Sequence, residues 1–220
     1  MKKAMKVLLV VACAALLVVG SVFGTLAYLT DTEEVVNTFT VGSVQIKLDE
    51  ATIDPETGKA VENADRVQKN EGIKLIPGRV VDKDPTVTVI GGSEECYVRV
   101  RMSVTWQNAA NGLFEDQEYA DWFNFGQNWI AKGLISDVDN GDGTYTETFE
   151  FWYNGAVAKA AADTELQPLF TEITIPGELT NEQVAAINNS TVTVVAHAIQ
   201  AEGFADAEAA WAAFDAQGTP

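Results

Sequence analysis

Side chains suited to catalysis are scarce in this sequence. It contains one histidine, His197, and two cysteines, of which Cys96 is the one outside the apolar N-terminal run. Zinc hydrolases usually use three ligands drawn from His, carboxylate and Cys, with His prominent, and the chain has no H-E-x-x-H pattern. No G-x-S-x-G turn is present to supply a serine nucleophile. We therefore predict no catalytic residue, no cofactor and no metal ligand, and we do not expect an enzyme.

His197 and Cys96 each lie in an alternating segment that predicts a β-strand. His197 is opposite in parity to Val194, Ala196 and Ala198, which predicts a solvent-facing histidine. Cys96 shares the parity of the apolar residues of its own strand, which predicts an inert core thiol. A Cys96–His197 dyad is the weaker alternative.

An acidic segment at 137–143 raises the question of calcium. It contains Asp137, Asp139 and Asp142, but no reading frame matches the ligand spacing of an EF-hand loop. Asn140-Gly141 more simply predicts the turn of a hairpin between residues 130–135 and 144–153. Calcium binding at this turn stays an open alternative.

Five aromatic residues lie close together in the middle of the chain. Exposed tryptophans can stack on sugars, whereas clustered aromatics in a β-sandwich more commonly form its core. Two coplanar, solvent-facing indoles would favour a glycan-binding module over a core role. The residues concerned are Trp106, Trp122, Phe123, Phe125 and Trp129.

These residues need strands to position them, and alternating strands dominate the chain. From Cys96 to Trp106 every second residue is apolar and the others are mostly polar, which predicts one buried and one wet face. Turns rich in Gly, Pro and Asn separate the segments. Further strands are predicted at 86–90, 144–153, 169–175 and 191–200.

The first strand after the N-terminal run changes parity. Phe39 and Val41 are odd-numbered apolar residues, whereas Val44 and Ile46 are even-numbered. A parity change at Gly42-Ser43 requires a bulge or bend, so we expect residues 28–41 and 44–49 to pack in different environments. The polar residues 50–72 predict a loop or hairpin-like excursion.

Two short helices are predicted. Thr180 to Gln183 has the pattern of a capping box ahead of an apolar run. Asp206 is placed to cap a C-terminal helix within 205–217, with Trp211 and Phe214 pinning it to the sandwich. The predicted fold class is therefore all-β: a jelly-roll-like antiparallel β-sandwich with a few short helices, one of them at the C-terminus.

The N-terminus has the organisation of a secretory signal peptide. Three lysines within Met1–Lys6 precede an apolar run from Val7 to Phe23, and Thr25-Leu26-Ala27 offers small residues at a cleavage site. We predict a signal peptide over 1–27, cleavage between Ala27 and Tyr28, and a single sandwich domain over 28–220. An uncleaved anchor is the alternative, since about 17 apolar residues is marginal for spanning a bilayer.

Charge excludes several classes of partner. The first 27 residues contain three of the 14 basic residues and none of the 32 acidic ones, so 11 basic and 32 acidic residues remain, a net charge of −21. Such a surface repels nucleic acid and anionic lipid headgroups. We predict no nucleic-acid partner, and membrane contact only before signal cleavage.

Two N-terminal motifs resemble a known family. The run from Gly24 to Asp31, followed by Asn37-Thr38-Phe39-Thr40-Val41-Gly42-Ser43-Val44, is similar to the export signal and mature start of the TasA/camelysin family. The Leu75-Ile76-Pro77-Gly78 turn and the strand from Val192 to Gln200 also fall where that family has them. Members are Gram-positive proteins matured by a SipW-type signal peptidase.

The resemblance implies a secreted or cell-surface subunit of extracellular biofilm-matrix fibres. Copies would join head to tail when the N-terminal strand of one subunit, 28–41, inserts into the sheets of the next, with accessory matrix proteins as further partners. The alternative is that residues 28–41 form the first strand of their own domain. The apolar residues of this segment would be Leu29, Val35, Phe39 and Val41. The family's metallopeptidase label leaves a camelysin-like secreted metallo-endopeptidase as an alternative, beside a glycan-binding cell-surface module.

Overall fold

A computed structural model describes residues 44–107, 121–187 and 190–217 in full, together with the backbone of residues 30–33, 39–41 and 119–120. These parts contain twelve strands, two α-helices and a 3-10 turn at Tyr119–Trp122. The strands are β1 Thr30–Glu33, β2 Phe39–Val41, β3 Ile46–Asp49, β4 Val80–Asp82, β5 Thr86–Val89, β6 Cys96–Gln107, β7 Phe123–Phe125, β8 Trp129–Asp139, β9 Thr144–Tyr153, β10 Thr164–Glu165, β11 Phe170–Thr174 and β12 Thr191–Gln200. The helices are α1 Asn181–Ile187 and α2 Ala207–Ala216.

The strands form antiparallel sheets that pack together. A six-stranded sheet has the order β2-β1-β12-β6-β9-β8, and two three-stranded sheets have the orders β10-β5-β3 and β4-β11-β7. All the pairings between these strands are antiparallel. The predicted antiparallel β-sandwich with a few short helices is confirmed.

The core lies between the six-stranded sheet and the two smaller ones. Alternate residues of β6 are buried from Cys96 to Trp106, as their spacing predicts. They belong to one apolar cluster with residues of β3, β5 and β11, among them Leu48, Val87 and Phe170. This shared core is why the three sheets form one packed body.

The predicted hairpin at the Asn-Gly turn is also confirmed. β8 and β9 pair from Trp129↔Tyr153 to Asp139↔Tyr145, and the amide of Asn140 donates to the carbonyl of Thr144 at 3.0 Å. The acidic side chains of the turn act locally: Asp139 accepts from the amide of Gly141 and Asp142 from that of Thr144. These are the hydrogen bonds with which Asp stabilises turns.

The parity change at residues 42–43 separates two sheets. β2 lies at the edge of the six-stranded sheet, whereas β3 belongs to a three-stranded sheet with β5 and β10. The expectation of two packing environments is confirmed. The excursion at 50–72 is held by isolated bridges, Glu50↔Val67 and Ile53↔Ala60, rather than by regular strands.

Both helices begin at the predicted caps. The hydroxyl of Thr180 accepts from the amide of Gln183 at 3.2 Å, and the side-chain oxygen of Gln183 accepts from the amide of Thr180 at 2.9 Å, a reciprocal capping box. The carboxylate of Asp206 accepts from the amide of Ala209 at 2.8 Å at the start of α2.

Helix α2 covers the outer face of the six-stranded sheet. The prediction that the second face of β6 is wet is therefore wrong at Arg99, which is 0% exposed. Its guanidinium lies over the rings of Trp211 and Phe214, 4.5 and 4.8 Å from their centres, and donates to both carboxylate oxygens of Asp215 at 2.9 and 2.5 Å. Period-two patterning gives the faces of a strand but does not show that a distant helix will cover one of them.

We expect Trp211→Ala to lower the free energy of unfolding by about 3–5 kcal/mol, because it leaves a cavity in the buried cluster beneath α2. Urea unfolding followed by circular dichroism measures the change. The matched control is Glu208→Gln on the exposed side of the same helix, which should change the free energy by no more than about 0.5 kcal/mol. Equal effects of the two substitutions would contradict the packing role of Trp211.

Candidate assembly site

The two sides of β12 are paired to different extents. On one side β12 pairs with β6 over its full length, from Thr191↔Thr105 to Gln200↔Cys96. On the other side β1 pairs only with residues 196–199, from Glu33↔Ala196 to Thr30↔Ile199. Among the described residues, positions 191–195 have no strand partner on the β1 side; residues 34–38, which follow β1 in the chain, lie outside the described residues.

Burial changes where the pairing changes. The four residues of β12 opposite β1, Ala196 to Ile199, are each 3% exposed or less. The five residues before them, Thr191 to Val195, are half-buried or exposed. An open strand edge flanked by partly exposed valines is a template for another extended segment.

A cavity of about 830 Å³ adjoins this unpaired stretch of β12. Its walls come from the loop at 68–75 and from strands of all three sheets. Apolar residues form much of the lining: Leu48, Leu75, Val81, Ile173, Val192 and Val194. The hydroxyl of Ser190, immediately before β12, is buried without a hydrogen-bond partner among the described residues.

The unpaired stretch of β12 and the cavity beside it could together bind an extended peptide. A strand added to an exposed edge gains main-chain hydrogen bonds, and every second one of its side chains points to the same face. Residues 191–195 would supply the main-chain hydrogen bonds, and the apolar cavity would receive the side chains on one face. The site is therefore a candidate strand-acceptor groove, defined by residues 191–195 and the cavity lining.

The strand on this part of the edge pairs on both of its sides. β1 has the sequence Thr-Asp-Thr-Glu, and it pairs with β12 on one side and with β2 on the other.

The structure places only part of the predicted assembly strand. Ala27, Tyr28, Leu29 and Val35 lie outside the described residues. Phe39 and Val41 lie in β2, which pairs with β1 through Thr32↔Phe39 and Thr30↔Val41. Residues 30–41 thus begin and end in two strands on the edge of their own sheet, and insertion into a second molecule stays a prediction. Sequence reasoning missed the groove, because nothing local shows how far each strand edge is paired.

Cys96 and His197 do not form a dyad. Cys96 lies in the core opposite Gln200, and burial raises the pKa of its thiol to about 12. His197 lies opposite Arg99 on the other face of the sheet. The prediction of a solvent-facing histidine is wrong, because α2 packs over it and leaves it 3% exposed. Burial, reinforced by Arg99 and Arg101, lowers the pKa of His197 to about 3, so its imidazole is neutral.

The three clustered tryptophans are buried. Trp106, Trp122 and Trp129 all belong to the core cluster, and the indole of Trp129 donates to the carbonyl of Gln167 at 2.9 Å. They do not form the exposed pair that a sugar-stacking surface requires.

Within the described residues, no three His, Cys, Asp or Glu side chains are grouped so that they could hold a metal ion. The helices of the same residues are too short or too polar to span a bilayer.

Comparison with known protein families, curated proteins and solved structures finds no match for this chain.

We expect the stability of the protein to fall on mild acidification because of His197. In the unfolded chain His197 has the ordinary histidine pKa of 6.5, whereas in the folded protein its pKa is about 3. Between these two pH values the unfolded chain binds a proton that the folded protein does not bind. The free energy of unfolding therefore decreases as the pH falls below 6.5. The loss between about pH 7 and about pH 5 should be about 2 kcal/mol.

Urea unfolding at the two pH values, for the wild type and His197→Gln, measures this loss. The variant should lose about 2 kcal/mol less stability than the wild type over the same interval. If the wild type and His197→Gln lose the same stability between the two pH values, His197 is charged or exposed in the folded protein.

Proposed function

We propose that this protein is a secreted structural subunit of extracellular fibres, and that copies join head to tail by inserting the N-terminal strand of one molecule into the groove of the next. The observation that carries the proposal is that positions 191–195 of β12 have no strand partner on one side among the described residues, beside an apolar cavity. An unpaired strand edge promotes association with another strand.

The N-terminal sequence supports export and release. The predicted signal peptide ends immediately before the segment 28–41, so cleavage after Ala27 gives this segment a free end. A SipW-type signal peptidase is the partner that we propose for this step, from the resemblance in the sequence. Copies of the chain, and accessory matrix proteins, are the partners for assembly.

The register of β1 supports the same edge as the acceptor. β1 runs antiparallel to β12 from Thr30↔Ile199 to Glu33↔Ala196. An incoming segment that keeps this register in extended form places Val35 opposite Val194 and reaches Thr191 with its Thr38. It would therefore cover residues 191–195 of β12 and bring Val35 beside an apolar wall of the cavity.

Deleting residues 28–41 from the mature protein should leave a folded monomer that does not polymerise. The described core begins at Val44, so the sandwich retains its packing, while the donor segment is lost. Electron microscopy and light scattering of the mature and truncated proteins measure assembly, and circular dichroism measures folding. Fibres built by a folded, truncated protein would contradict strand insertion.

The groove itself can be tested with Val194→Lys. A lysine on the cavity wall puts a charge where the incoming segment would bury an apolar side chain, so we expect assembly to be lost. The matched control is Ile130→Lys, the same kind of substitution at an exposed position on β8, the opposite edge of the same sheet. If assembly continues with Val194→Lys but stops with Ile130→Lys, the interface lies at β8 instead. Thermal unfolding establishes that both variants are folded.

A further inference from the structure

The carboxylate of Glu50 accepts hydrogen bonds from both the amine of Lys83 and the carboxamide of Asn70. Glu50 follows β3 directly and is buried, with its side chain 8% exposed. One of its oxygens, Oε1, accepts from the side-chain nitrogen of Asn70 at 2.8 Å and from the Asn70 amide at 3.1 Å. The other oxygen, Oε2, accepts from Nζ of Lys83, which is itself only 12% exposed.

The carboxamide of Asn70 is fixed in one orientation. Its nitrogen Nδ2 also donates to the carbonyl of Ala51 at 2.8 Å, and its oxygen Oδ1 accepts from the backbone amide of Ile53 at 2.8 Å. The carbonyl carbon between them is therefore polarised by a backbone donor. That donor occupies the position required to stabilise negative charge on the oxygen.

From this arrangement we propose that Lys83 and Asn70 become joined by an intramolecular amide bond between Nζ and the side-chain carbonyl carbon, with Glu50 as the proton carrier. The structure brings a nucleophile, an electrophile and an acid–base group together within one chain. Such preorganisation replaces an encounter between separate molecules and strongly favours the reaction.

The reaction is balanced without an oxidant or a further reagent. Glu50 takes a proton from the ammonium of Lys83, and the neutral amine attacks the carbonyl carbon of Asn70. Negative charge develops on Oδ1, where the Ile53 amide stabilises it. Glu50 delivers its proton to Nδ2, the carbon–nitrogen bond breaks, and ammonia leaves with the remaining proton of the amine as ammonium. One amide is lost and one amide is formed.

The Lys83–Glu50 pair differs from the other lysine pairs of the described residues. Lys59–Asp82, Lys69–Glu71, Lys74–Glu56 and Lys159–Glu94 have exposed lysines, and Lys47 of the pair with Asp49 is exposed too. Lys132, 3.6 Å from Glu208, has a side chain that is 34% exposed, against 12% for Lys83. Glu50, Asn70 and Lys83 also lie on the lining of the cavity, which gives the released ammonia a path out.

The bond would connect the loop at 68–75 to the segment that follows β4. Both contribute to the wall of the candidate acceptor groove. A covalent link between positions 70 and 83 restricts the unfolded chain and holds this wall in place, as a disulfide would in a protein that has a cysteine pair.

Mass spectrometry of the purified full-length chain tests the proposal directly. We expect an intact mass lower than the sequence mass by one ammonia. Trypsin should release a branched peptide in which Asn70–Lys74 is joined through Lys83 to the uncleaved segment from Val80 to Arg99. Full mass with separate, unbranched peptides would overturn the proposal. So would an ammonia loss that maps to an Asn-Gly sequence such as Asn140-Gly141, where a cyclic imide forms instead.

Two variants test the roles of the residues. Glu50→Gln removes the proton carrier and Lys83→Arg removes the nucleophile while keeping a cation, so both proteins should have their full sequence mass. The matched control is Lys69→Arg, in an exposed pair with Glu71, which should retain the ammonia loss. Near-ultraviolet circular dichroism establishes folding. The peptide map of the wild-type protein is by itself sufficient to show whether the bond exists. The proposal therefore stays testable even if one of the variants fails to fold.

Discussion

The unequal pairing of β12 is the constraint on which the rest of the structure depends. This strand contributes Ala196 and Ala198 to the central core and Ile199 to the cluster under α2, and it carries β1 on its outer edge. Its full-length ladder with β6 fixes its position in the sheet. Positions 191–195 have no partner on the other side among the described residues, and this is the stretch to which we propose that a strand is added.

A second constraint is the burial of charge beneath α2. Taking a guanidinium out of water costs several kcal/mol, and paired hydrogen bonds to Asp215 and two aromatic faces offset part of that cost for Arg99. Its Nε atom is buried without a hydrogen-bond partner among the described residues. The hydrogen bond from Arg99 lowers the pKa of Asp215 below its ordinary value. The C-terminal helix is thereby held on the strand segment that binds β1. The two ends of the described chain meet on one strand, with α2 on its face and β1 on its edge.

The polar excursion after β3 contains a network of charges rather than a simple solvated loop. Arg66 donates to Asp49 and Asp84, while Glu50 receives hydrogen bonds from Asn70 and Lys83. Buried groups of this kind persist only when their hydrogen bonds are satisfied by fixed partners. The excursion can therefore form one wall of the cavity without regular secondary structure, with Asn70 held beside Glu50 and Lys83.

The sequence by itself determined the elements whose signals are local. The alternation in β6, the Asn-Gly turn between β8 and β9, the capping box of α1 and the cap of α2 at Asp206 all depend on residues within a few positions of one another. The parity change at residues 42–43 even separated two sheets, because a period of two cannot continue through it. Only the tertiary structure decided the burial of Arg99 and His197, the unequal pairing of β12 and the meeting of Glu50, Asn70 and Lys83. Each of these features depends on residues that are far apart in the chain. The local sequence pattern of a strand therefore does not show that a distant helix will cover its face or how far a neighbouring strand will pair with it.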